Sequence, residues 1–164
     1  MKQKKLLEQD KRLFRTADLA VLWQITNKNT LLTTIKRYRQ NRILYRVAQG
    51  VYSTIPLTRL NPFELGCAVA GPLAYISLES VLSQEGIINQ QPNKITLIGK
   101  KNQEFEAGGH TFLCRYVNPT YLVNRDGIED NGRQAVATTK RAVRDMLYLK
   151  PQYHFDRPIP KGWL

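Results

Sequence analysis

Apolar positions along the first sixty residues change period twice. Leu19, Leu22 and Trp23 recur at i, i+3 and i+4, which predicts a helix. Thr16 stands ahead of them as its expected N-cap, with Asp18 in the first turn, where the helix dipole favours an anion. The polar break at Ile25-Thr26-Asn27 ends that pattern, and Thr26 is placed to cap a further helix running to residue 39 or 40, with Asn41 in the left-handed position beyond its end. A shorter helix is expected earlier, over residues 3–12, with Leu6 and Leu7 as its apolar contribution. After residue 42 the period falls to two. Ile43-Leu44-Tyr45-Arg46-Val47-Ala48 and Val51-Tyr52-Ser53-Thr54 read as strands joined through Gln49-Gly50 as a hairpin turn. Three helices followed by a hairpin predict a winged helix-turn-helix over residues 1–56.

The two prolines around Ile55-Pro56-Leu57-Thr58-Arg59-Leu60-Asn61-Pro62 interrupt both periods, so a second domain is expected over residues 61–164. Asn61 and Pro62 suit the opening of a helix that ends at Gly71. Ala74-Tyr75-Ile76 reads as a short strand, and Ser77 as the cap of a helix carrying Leu78, Val81 and Leu82 to a stop at Gly86. Strands are expected over residues 94–98, 103–106 and 111–117, with Gly108-Gly109 turning the last two. Asn131-Gly132 predicts a hairpin joining residues 127–129 to 133–136. Thr138 or Thr139 then starts an amphipathic helix with Ala142, Val143, Met146, Leu147 and Leu149 on one face, stopped by Pro151. Residues 153–164 read as an extended arm. The fold class is therefore α+β, with a small mixed second domain of largely antiparallel strands.

Charge changes this picture from architecture to partner. Of 25 Lys and Arg against 13 Asp and Glu, 13 basic and three acidic residues (Glu8, Asp10, Asp18) fall in residues 1–60, net +10, which leaves net +2 for the remainder. A polyanion is the expected partner of the first segment, nucleic acid ahead of an anionic membrane. On the third helix Leu31, Ile35 and Tyr38 share an arc, with Leu32 at its edge. The opposite arc holds Asn29, Thr30, Thr33, Lys36, Arg37 and Gln40 without a carboxylate. Amide and guanidinium groups can read base edges in the major groove, and acids would repel phosphate. These six residues, with Arg46 and Gln49 of the hairpin approaching backbone or minor groove, are the expected DNA-binding set. A solvated basic face is the plain competitor, and a protein-binding adaptor is another use of such a domain.

Other chemistries find less support. His110-x3-Cys114 is the only close pair among Cys67, His110, Cys114 and His154, and it lacks the paired spacing of a zinc module, so neither a metal nor any other cofactor is expected. A metal-dependent nuclease, carried to DNA by the first domain, would need clustered carboxylates. Glu104 and Glu106, or Asp126, Glu129 and Asp130, are available, but outward charges of a sheet explain them equally. Gly108-Gly109 has neither the spacing nor the lysine of a phosphate loop. Arg141 and Asp145, at i and i+4, read as a local ion pair worth about 0.2–0.5 kcal/mol; Tyr75 and Glu79 are the other polar positions of note in this segment. The longest uncharged apolar-leaning run, residues 65–76, is broken by Pro72 and falls short of a membrane span. The N-terminus meets Glu8 and Asp10 before any signal core, and two cysteines make no disulfide framework. A cytoplasmic, non-enzymatic protein is expected.

Three blocks resemble the AbiEi family of antitoxins and transcriptional regulators from type IV toxin-antitoxin and phage abortive-infection systems. They are Leu44-Tyr45-Arg46-Val47-Ala48-Gln49-Gly50-Val51-Tyr52-Ser53, Tyr75-Ile76-Ser77-Leu78-Glu79-Ser80-Val81-Leu82, and Ala137-Thr138-Thr139-Lys140-Arg141-Ala142-Val143-Arg144-Asp145-Met146-Leu147. The last departs from the family at Lys140, where a glutamate is usual. The resemblance spans nearly the whole chain. It implies a repressor that binds double-stranded DNA at its own promoter, as one copy or as a homodimer. It also implies a neighbouring nucleotidyltransferase-like toxin whose effect the second domain opposes without a need for direct contact.

Overall fold

The computed structural model describes residues 1–164 and is a mixed α+β structure of seven α-helices and two mostly antiparallel sheets. The first half runs α1 (Lys2–Leu7), β1 (Leu13–Arg15), α2 (Thr16–Trp23), α3 (Lys28–Gln40), β2 (Tyr45–Ala48) and β3 (Val51–Ser53). Its three strands form an antiparallel sheet in the order β1-β3-β2. Leu6, Phe14, Leu19, Trp23, Leu31, Ile35, Leu44 and Tyr52 make its core. The Trp23 Nε1–H donates to the Lys2 carbonyl at 3.1 Å, which ties α1 to α2.

Sequence expectations hold here for the three helices and the hairpin, miss β1, and slip at the ends. The first helix stops at Leu7 rather than residue 12, because the chain must extend to lay β1 beside β3, with Phe14 opposite Tyr52. The cap of α2 is Arg15, not Thr16. Arg15 is extended, and its N–H donates to the Asp18 carboxylate at 2.8 Å. Likewise α3 is capped by Asn27, not Thr26, since the Asn27 side chain accepts the Thr30 N–H at 3.0 Å. At its other end Arg42 takes the left-handed conformation (φ 57°) instead of Asn41 (φ −89°). The last turn tightens through Arg42 N–H to the Arg39 carbonyl, and the chain closes with Ile43 N–H on the Tyr38 carbonyl, which moves the left-handed residue one place on.

The second half contains α4 (Pro62–Ala70), β4 (Tyr75–Ile76), α5 (Glu79–Gln84), β5 (Ile95–Gly99), β6 (Gln103–Ala107), β7 (His110–Tyr116), α6 (Pro119–Val123), β8 (Ile128–Asp130), β9 (Ala135–Ala137) and α7 (Thr139–Leu149). Six strands lie in the order β6-β7-β5-β4-β9-β8, parallel at β5/β7 and β4/β9 and antiparallel elsewhere. Asn61 caps α4 with Pro62 at its first position, as its sequence predicts, and α4 lies against one face of the sheet. A Cβ at Gly66 would stand 2.7 Å from the Phe112 ring, so glycine is what permits that approach. Across the sheet, Tyr75 meets α7, and Thr96 exchanges hydrogen bonds with Ser80 of α5 at 2.8 and 3.0 Å.

Four expectations change in this half. Ser77 does not cap α5. The helix starts after Leu78, a buried residue held at φ 62°, while the Ser77 hydroxyl points inward to Asp145. Helix α6 is an addition, opened by Asn118-Pro119 in the way Asn61-Pro62 opens α4. The hairpin at Asn131-Gly132 has four loop residues, with Asp130 opposite Ala135 as its last pair, so its strands sit one to two residues from their expected places. The tail is docked rather than a free arm. Asp156 N–H donates to the Ile87 carbonyl at 3.0 Å, and Ile159 and Trp163 pack on the larger core.

The halves touch closely. Leu13 and Val51 belong to the larger core, whose members otherwise come from residue 60 onward. Arg15 donates from Nη2 to the Ala68 and Val69 carbonyls at 2.6 and 3.1 Å, and Arg133 meets Asp10 at 2.8 Å. No helix is long and apolar enough to cross a membrane.

Candidate nucleic-acid interface

The outer face of α3 is built by what the helix buries. Leu31, Thr34 and Ile35 turn inward, and Thr34 is accommodated because its hydroxyl donates to the Thr30 carbonyl at 2.8 Å. Tyr38 is half-buried against Trp23, and Leu32 is exposed rather than on the core edge. Asn29, Thr30, Thr33, Lys36, Arg37 and Gln40 are all exposed, as are Arg46 on β2 and Gln49 in the hairpin turn. Lys36, Gln40 and Arg46 line one groove of about 500 Å³ together with Arg39 and Tyr45. This joins the helix end to the hairpin, whereas Asn29, Thr30, Thr33 and Arg37 lie along the helix away from it and Gln49 lies at the hairpin tip. Arg39, three residues after Lys36, falls between the apolar and polar arcs of the helix, so its periodicity gives no signal of its place in this groove.

Electrostatics sharpen this face. Each carboxylate of the first sixty residues has a cation away from it: Glu8 with Lys4 at 3.9 Å, Asp18 with Lys11 at 3.4 Å and Asp10 with Arg133 at 2.8 Å. Lys28, Lys36, Arg37, Arg39, Arg42 and Arg46 make no salt bridge. Their field is therefore uncompensated locally, the condition under which a polyanion gains most by releasing its counterions.

The second half holds a different arrangement around Arg141 and Asp145. The expected local surface pair is in fact buried, at 2% and 0% side-chain exposure, with Arg141 Nε 3.0 Å from Asp145 Oδ1. The hydroxyls of Tyr75, Ser77 and Tyr121 donate to the same carboxylate at 3.0, 2.6 and 2.6 Å. The Arg141 Nη1 group donates to the Asn124 and Asp126 carbonyls, both at 2.7 Å. Thr138 caps α7 and starts it so that positions 141 and 145 both face the sheet, which helical spacing shows but burial decides. Each side-chain nitrogen and oxygen of the network has a hydrogen-bond partner, and the network ties β4, α6 and α7 together. Glu79 lies apart from it, in a groove with Lys94, Arg115, Lys150 and Tyr153.

Burial raises the Tyr75 and Tyr121 hydroxyls well above the usual tyrosine value of 10.0, and the Asp145 charge adds to it. Both tyrosines then hold their protons to higher pH when folded than when unfolded. Their contribution to stability is complete below pH 10 and is lost as pH climbs beyond it. Thermal melts from pH 8 to 11.5 should show a midpoint that drops above about pH 10, with a shallower drop in Tyr75→Phe.

The remaining candidates are scattered. His110 and Cys114 share a sheet face but sit four residues along a strand, about 13 Å apart, and no three His, Cys, Asp or Glu side chains gather as a metal-binding group. Burial lifts the Cys67 and Cys114 thiols to about 11, away from the nucleophilic thiolate. Glu104 and Glu106 lie on β6 and Glu129 and Asp130 on β8, at opposite edges of the six-stranded sheet. Five strand spacings separate them, on the order of 24 Å. The chain matches no protein-family model, and no curated protein matches it.

Proposed function

We propose that the protein is a DNA-binding transcriptional regulator whose first 56 residues act as a winged helix-turn-helix. In this reading α3 enters the major groove and the β2–β3 hairpin is the wing. The observation that carries it is the acid-free outer face of α3, whose cations are unpaired while every nearby carboxylate is tied off elsewhere. The helix-strand-helix-helix-hairpin order, with β1 closing the sheet, supports the same reading. The likeness to AbiEi proteins extends it: the chain represses its own promoter and, through residues 61–164, opposes a nucleotidyltransferase-like toxin. The buried network around Arg141 and Asp145 in that half suits a scaffold.

A nuclease is the competing reading, and the separation of the two carboxylate groups across the sheet weighs against it. Gel shifts of the full chain on its upstream DNA decide between them. The expected result is a complex that survives EDTA, weakens steeply between about 50 and 200 mM salt, and leaves the DNA uncut in Mg²⁺. Affinity indifferent to salt refutes both DNA readings and favours a protein-binding adaptor.

A further inference from the structure

Where the two halves meet, β1, α4, the turn before β4 and the β8–β9 loop line an open cavity of about 270 Å³. Six charged residues line it: Lys11, Arg15, Asp18, Glu64, Asp130 and Arg133. Most are already answered. Lys11 pairs with Asp18, Arg133 with Asp10, and Arg15 donates to the carbonyls at the end of α4. Glu64 is not answered. The residue is 7% exposed, and it makes neither a salt bridge nor a hydrogen bond, although a glutamate at this third helical position commonly folds back onto the N-cap amide. No fully enclosed side-chain polar atom in the protein lacks a partner, so what remains exposed of Glu64 is its carboxylate, open to the cavity. Asp130, an exposed residue, lies on the same lining, with one oxygen accepting the Gly132 N–H at 2.8 Å and no salt bridge.

A carboxylate on a residue this buried, with no ion-pair partner of its own, gains from a cation that reaches it. We infer that this cavity binds a small organic cation, a primary amine or guanidinium on a short aliphatic chain. The charged head sits on Glu64 with Asp130 assisting, and the hydrocarbon lies against Ala68 and Pro72. The apolar part of the lining suits a hydrocarbon, and the absence of a three-ligand group disfavours a bare metal ion. The volume corresponds to roughly nine waters at about 30 Å³ each, enough for such a chain. The protein's net charge of +12 repels cations in general, so binding has to come from a local site. The lining is shared by both halves, so occupancy stabilises their association.

Isothermal titration and thermal melting of the full chain without DNA test this, using agmatine and putrescine as probes and 1,4-butanediol as the uncharged match. One-to-one binding of a cation and a raised melting temperature are expected, with no effect of the diol. Glu64→Gln should weaken binding by roughly tenfold or more, Asp130→Asn by less, and Glu85→Gln, on an exposed residue after α5, not at all. If Glu64→Gln does not fold, Asp130→Asn decides, and unchanged affinity there overturns the site. The inference is also overturned by cation binding that Glu64→Gln leaves intact, by equal binding of the diol, by loss of binding in Glu85→Gln, or by no binding of either amine at millimolar concentration.

Discussion

Asp145→Ala is expected to lower stability by about 3–5 kcal/mol, the cost of leaving a buried charge without its partner. The change strips Arg141 of its counter-ion inside the core and removes the acceptor of three hydroxyls at once. Chemical denaturation followed by circular dichroism measures it. Arg141→Lys should also be costly, by about 1–3 kcal/mol, because a lysine cannot serve the two loop carbonyls, Asp145 and the Tyr75 hydroxyl together. Tyr121→Phe, which removes one of three donors, should cost least of the three. A loss of only a few tenths of a kcal/mol in Asp145→Ala would mean that the pair is in contact with water after all.

The second large effect concerns DNA. Arg37→Ala and Thr33→Ala should each weaken binding to the specific site by roughly 5- to 150-fold and change binding to random DNA little. Arg46→Ala and Arg39→Ala, at the groove joining α3 to the hairpin, should weaken both kinds of DNA alike and reduce the salt dependence by about one counterion each. Fluorescence anisotropy on the two DNAs at several salt concentrations separates these outcomes. Operator affinity untouched by Arg37→Ala and Thr33→Ala would remove α3 from the interface.

The longer helices and strands were legible in the sequence because each carries enough residues for its period to repeat. Three-residue β1 was not, since Leu13-Phe14-Arg15 offers no alternation to detect and is a strand only because β3 lies beside it. Helix α6 had the same Asn-Pro opening as α4 and was passed over for its brevity. The cap at Thr26 slipped because its neighbour Asn27 can also accept an amide, whereas α2 and α5 start from Arg15 and Leu78, whose side chains accept none, so tertiary packing and not a capping side chain sets those starts. The exposed set on α3 could be read from helical geometry alone. The burial of Arg141 and Asp145 could not, since i and i+4 spacing is equally that of a surface pair, and their partners come from Tyr75 and Tyr121, distant in sequence.

The seam between β4 and β9 bears on the order of folding. It joins the two parts of the large sheet through Ile76 opposite Val136, segments 60 residues apart by their numbers. Hairpins β6–β7 and β8–β9 close across a few residues each and can form early, whereas the seam must wait for both, since distant pairing carries the greater closure entropy. Tyr75 and Asp145 come together only across that seam. Closure of the seam is thus also the step that removes an ion pair from water, and slow amide exchange beside the seam reports how rarely it reopens.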